Sequence, residues 1–112
     1  MKFIFIAESS NEIDRFLVDV NYELKGLRYT LDEKTFNEFW KSNTVNNFYD
    51  LTNIFIDDYE TTVVRGSEEL KILLELVGKR TLFNFHLNKF YKKLADLICL
   101  ALEKNSGVIF FF

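Results

Sequence analysis

Ile13-Asp14-Arg15-Phe16-Leu17-Val18-Asp19-Val20-Asn21-Tyr22-Glu23-Leu24-Lys25-Gly26-Leu27-Arg28-Tyr29-Thr30-Leu31 is the stretch whose reading decides the fold class. At the helical period, Ile13, Phe16, Leu17, Val20 and Leu24 make an apolar stripe that leaves Val18 and Tyr22 off it. At period two, Val18, Val20, Tyr22 and Leu24 alternate with Asp19, Asn21, Glu23 and Lys25 without a break, and the alternation resumes as Leu27, Tyr29 and Leu31. The second pattern predicts a β-hairpin with strands over 17–24 and 27–31, turning at Lys25-Gly26.

Upstream, residues 2–7 are apolar after Lys2 with no polar alternation, the pattern of a strand covered on both faces. Ser9-Ser10-Asn11-Glu12 reads as a loop, or as one helical turn capped by Ser9 with Glu12 three residues on. Downstream, Asp32 can cap a helix carrying Phe36, Phe39 and Trp40 that ends near Ser42-Asn43. The Asn-rich run from Asn43 to Asp50 shows no clear period and reads as a loop. Ile54–Ile56 and Thr61–Val64 are two short strands, or one strand and an extended edge, joined by Asp57-Asp58-Tyr59-Glu60.

Ser67 caps a further helix with Glu68 and Glu69 in its first turn and Leu70, Leu73, Leu74 and Val77 inward, ending at Gly78. The longest helix spans 86–105, with Leu87, Phe90, Tyr91, Leu94, Ile98, Ala101 and Leu102 inward, and Asn105-Ser106-Gly107 stops it. Val108–Phe112 is then a strand; so apolar a segment is safe only when paired inside a sheet, beside residues 2–7. The order of elements predicts a single α+β domain over residues 1–112. Its sheet is mostly antiparallel, holds both terminal strands, and carries about three helices packed on one face.

Composition fits a globular chain: 48% hydrophobic and 28% charged. Thirteen Phe are more than a core of this size needs, so some Phe or Tyr are expected at a pocket or an interface. One cysteine, Cys99, permits no intrachain disulfide and fits a reducing compartment. The short apolar run at the start is too brief for a signal peptide or a membrane span. The expected location is cytoplasmic, with no membrane partner.

Residue types for chemistry are sparse. One His and one Cys cannot build a zinc site, and Asp57-Asp58 with Glu60 lacks the surroundings of a hard-cation loop, so no metal is expected. Cys99 sits between Ile98 and Leu100 and reads as a small core residue, with His86 roughly 20 Å along the same helix. The four glycines form no phosphate loop. These features point to no enzyme, no cofactor and no small-molecule substrate.

Charge is unevenly placed. Residues 1–76 hold 15 acidic and 8 basic side chains, and residues 77–112 hold 2 and 6. Lys89, Lys92 and Lys93, with Lys79 and Arg80 before them, form a solvated basic face; with a net charge of −3, no nucleic-acid partner is expected. The denser signal is acidic. Asp50, Asp57, Asp58 and Glu60 gather with Tyr49, Phe55 and Tyr59, and no Lys or Arg intervenes before Arg65. Aromatics enrich interface centres, and carboxylates complement a basic protein partner. The predicted partner-binding residues are Tyr49, Asp50, Asp57, Asp58, Tyr59 and Glu60.

The close of the chain, Ala101-Leu102-Glu103-Lys104-Asn105-Ser106-Gly107 running into Val108-Ile109-Phe110-Phe111-Phe112, together with the overall composition, resembles small bacterial immunity proteins, including those paired with contact-dependent growth inhibition toxins. The resemblance implies a compact, acidic cytoplasmic inhibitor that binds a toxin domain, often a nuclease, and blocks its active site. It carries over no individual residue. The other reading of the same surface is an adaptor or subunit of a larger complex; a small enzyme without a recognisable motif is a third.

Overall fold

Both ends of the chain lie in the middle of one sheet. In the computed structural model, which describes residues 2–19, 21–79 and 84–112, β1 (Lys2–Ile6), β2 (Leu27–Leu31), β3 (Thr61–Val64) and β4 (Val108–Phe111) are ordered β2-β1-β4-β3. Every neighbouring pair is antiparallel, with Ile4 opposite Tyr29 and Phe110, and Val63 opposite Ile109. The inner positions of β1 and β4 explain their unbroken apolar runs, because both faces of an inner strand are covered. Ile4, Ile6, Val108 and Phe110 point into the larger core, while Phe5 and Ile109 point into a smaller one behind the sheet.

Five helices occur among the described residues: α1 (Ser10–Val18), α2 (Glu33–Lys41), α3 (Thr44–Thr52), α4 (Ser67–Gly78) and α5 (Phe85–Glu103). Helices α2 to α5 build the larger core, where Phe39, Phe48, Leu73, Leu94 and Ile98 are fully buried. Helix α1 lies over the opposite face through Ile13, and its Phe16 ring meets Phe111 edge-on at 5.7 Å. The sheet is therefore covered on both faces, where three helices on one face were expected. The radius of gyration, 13.3 Å, is that of one compact domain of this length.

The expected strand over 17–24 does not form. Residues 10–18 are helical, and β2 pairs with β1 instead of with the preceding segment. Ser9 caps α1 by accepting the Glu12 amide at 3.3 Å. Asp19 ends it, its Oδ1 accepting the Asn21 amide at 3.0 Å in an Asx turn. The alternation thus straddled two different structures: a helix whose Leu17 and Val18 face solvent, and an extended connector whose Leu24 packs on the smaller core. Val20, part of the same alternation, lies outside the described residues, as does Arg80 of the basic face.

The buried Glu12 carboxylate ties this region together, accepting the Glu8 amide at 3.0 Å and the Lys25 amide at 2.8 Å. Gly26 is needed for close approach, since a Cβ there would overlap the Ile6 carbonyl oxygen. Gly107 is equally confined, with a Cβ meeting the Val64 carbonyl oxygen and Ile13 Cδ1 at 2.8 Å each.

The run from Asn43 to Asp50, read as loop, lies instead almost wholly in helix α3 (Thr44–Thr52), because Thr44, Val45 and Phe48 reach the core. Ile54–Ile56 is no strand; it runs as an extended edge beside β3, where Thr62 Oγ1 donates to the Phe55 carbonyl at 3.4 Å. Helix α2 follows expectation, with the Asp32 carboxylate accepting the Thr35 amide at 2.7 Å. At α4 the cap position is Gly66 and Ser67 is already helical. Cys99, expected in the core, is exposed on α5.

Candidate partner-binding surface

An aromatic row runs from the sheet to the surface. Phe112 meets Phe36 edge-on at 5.0 Å, Phe36 stacks on Trp40 at 5.9 Å, Trp40 meets Phe55 at 5.9 Å, and Phe55 meets Tyr49 at 5.9 Å and 90°. Helix α2 supplies Phe36 and Trp40 one turn apart, α3 supplies Tyr49, and the extended edge supplies Phe55. The outer members are open to solvent, Tyr49 by 46% and Phe55 by 43%, with Leu51 of α3 at 63%. Edge-to-face packing fixes these rings without burying them.

The acidic turn follows directly after Ile56, which is fully buried and anchors it. Asp57 Oδ1 accepts the Tyr59 amide at 2.8 Å, and the Asp57 amide donates to Thr62 Oγ1 at 3.2 Å, closing a bend against β3. Lys2 Nζ fastens its base, donating to the main-chain oxygens of Asp58 at 3.3 Å and Phe112 at 2.6 Å while lying 4.4 Å from the centre of the Phe36 ring. Tyr59 is 88% exposed at the tip.

The six predicted residues divide by role. Tyr49 stands at the end of the aromatic row, with Asp50 exposed beside it on α3. Asp57 and Asp58 are both half-buried, Asp57 shaping the turn through its carboxylate, whereas Tyr59 and Glu60 are exposed. The ion pair found among the described residues joins Arg65 to Asp14 at 2.7 Å; it neutralises none of the four acids of this surface. Sequence reasoning missed Trp40, which joins Phe55 to the core. Its signal was present in the one-turn spacing of Phe36 and Trp40, but that pair was assigned wholly to the interior.

Elsewhere, His86 and Cys99 sit near opposite ends of the continuous helix α5, which keeps them apart. The His86 Nε2 instead hydrogen-bonds Thr35 Oγ1 at 2.8 Å. Among the described residues no group of three or more His, Cys, Asp or Glu side chains could hold a metal ion, and no helix is long and apolar enough to cross a membrane. Lys89, Lys92 and Lys93 are exposed as expected, and Lys93 Nζ hangs 5.7 Å from the Tyr29 ring centre. Comparison with protein-family models, with curated proteins and with solved structures gives no match.

Proposed function

We propose that this chain is a non-enzymatic inhibitor that binds and neutralises a basic toxin domain, such as a nuclease, in the manner of immunity proteins acting in the cytoplasm. The observation that carries the reading is the exposed Phe55–Tyr49 pair, backed by the half-buried Trp40 and set beside acids that have no ion-pair partner among the described residues. Exposed rings supply contact area at low entropic cost, and unpaired carboxylates steer and orient a cationic partner. Tyr59 is the aromatic anchor, Asp58 and Glu60 face the partner's Lys or Arg, and Asp50 sits at the rim.

The test begins with the gene immediately upstream. Its product is expressed in a sensitive host with and without this chain, and growth is scored. Rescue of growth is expected; toxicity unaffected by the chain overturns the inhibitor reading. Affinity is then titrated at two salt concentrations. Asp58→Ala with Glu60→Ala should weaken binding at least tenfold, about 1.4 kcal/mol, and flatten the salt dependence. Asp57→Ala is the wrong probe of charge, because it also opens the Asx turn.

A further inference from the structure

We infer that the open edge of β2 receives an extended acidic segment of another protein as a fifth strand, antiparallel like every other pair in the sheet. This surface lies at the opposite edge from β3 and its acidic turn, so it is independent of the inhibitor reading. Two observations carry it: main-chain groups left unpaired in register, and a fixed cation beside them.

Main-chain direction alternates along a strand, so the pairing of β1 decides which groups of β2 are used. The Ala7 amide donates to the Gly107 carbonyl at 3.4 Å, which turns the main-chain groups of Phe3, Phe5 and Ala7 toward β4 and those of Lys2, Ile4 and Ile6 toward β2. The Ile6 carbonyl oxygen accordingly sits where a Gly26 Cβ would stand, on the β2 side. Leu31, Tyr29 and Leu27 lie opposite these three residues and pair with them. Arg28 and Thr30 therefore direct both N–H and C=O away from the sheet. No hydrogen bond from a described residue meets those groups, and both residues are exposed, with Leu27 beside them 48% open. The far edge differs: the chain before β3 lines it, Thr62 Oγ1 linking the Phe55 carbonyl and the Asp57 amide.

The cation is Arg28. Its guanidinium lies 3.9 Å from the centre of the Phe3 ring, and Phe3 in turn stacks on Phe111 at 4.5 Å. Stacking holds the planar fork in place and leaves its N–H groups clear of the ring. None of them makes a hydrogen bond or ion pair with a described residue. A fork so held matches a carboxylate. On the other face of the strand Lys93 Nζ hangs 5.7 Å from the Tyr29 ring centre, and Lys89 precedes it by one turn of α5. Cations thus flank the edge on both faces. A second copy pairing β2 with β2 would bring Arg28 and Lys93 of both chains together, which like charge opposes. A strand with carboxylates on the Arg28 face and apolar side chains beside Leu27 and Tyr29 meets both the open main chain and the charge.

The experiment titrates the intact protein with a capped heptapeptide of alternating Glu and Val, followed by amide chemical shifts and amide exchange. Saturable shifts are expected at Arg28 and Thr30, with exchange of those two amides slowed at least tenfold at saturation. Two altered peptides separate the contributions: N-methylation of the Glu amides removes the donors that face β2, and Lys in place of Glu reverses the charge. Each should bind at least tenfold more weakly than the parent peptide, whose own binding should weaken with added salt. Arg28→Gln should lower affinity for the parent peptide by a similar factor. The altered peptides act on the wild-type protein, so the test stands even where R28Q folds poorly. Absence of saturable shifts at Arg28 and Thr30 overturns the proposal, as does equal binding of either altered peptide. Self-association of the free protein that protects the same two amides assigns the edge to a second copy and equally overturns it. The titration needs no toxin, so its failure and that of the inhibitor reading are told apart.

Discussion

Replacing Glu12 by Ala would strand the amides of Glu8 and Lys25, each of which has a Glu12 oxygen as its acceptor. Both bonds are part-buried and each is worth about 0.5–1.5 kcal/mol net, so denaturant unfolding should show a loss of about 1–3 kcal/mol. Glu12→Gln should recover little of it, because its amide nitrogen would face an N–H where an acceptor is required. Asp32 gives a prediction in pH. Hydrogen bonds from the Thr35 main chain and side chain, aided by the charges of His86 and Lys34, hold its carboxyl below the ordinary 3.8. A carboxyl lowered in the folded state stabilises above its unfolded pKa, and that contribution fades as pH falls through the folded value. Acid titration of stability should therefore steepen below about 3.8 in the wild type, and Asp32→Asn, which keeps a capping oxygen, should flatten that limb.

Helix α1 and the absent hairpin make opposite demands on the same side chains. In the helix Ile13 is fully buried and Val18 is 89% exposed, whereas a hairpin would turn Val18 inward. Ile13→Ala should cost about 2–5 kcal/mol, and Val18→Ala should stay within about 0.5 kcal/mol; the reverse order in thermal melts would restore the hairpin. Ser9→Ala should remove about 1 kcal/mol by taking away the cap. Period counting misled here because it ran across Asp19, whose Asx turn was readable as a stop. Helix α3 was illegible for another reason. Thr44, Val45, Asn46 and Asn47 are weak helix formers, and burial of Val45 and Phe48 overrides their preference. The terminal strands were legible because unbroken apolar runs fit inner strands and little else. Of the candidate surface, the acids and Tyr59 were visible as a local cluster. The row through Trp40 arises from contacts between elements, which no local window contains.

At the scale of the molecule, β4 is the shared neighbour of β1 and β3, so the sheet has no alternative pairing without it. Deleting Val108–Phe112 should abolish the cooperative transition and collapse amide dispersion, because Ile109 and Phe110 alone remove fully buried side chains from both cores. A truncated chain that melts as sharply as the full one would refute this. The same topology has a consequence during synthesis. Ser106 Oγ reaches back 99 residues to the Ala7 carbonyl, and the β1–β4 ladder spans a similar separation. Contacts so distant along the chain form slowly and late. On the ribosome, β1 emerges long before β4; β2 can pair with one of its edges early, while the other apolar edge stays open until β4 arrives. Nascent chains stalled with Val108–Phe111 still enclosed should be digested rapidly by a protease, and the same chains lengthened by a flexible tail should resist it.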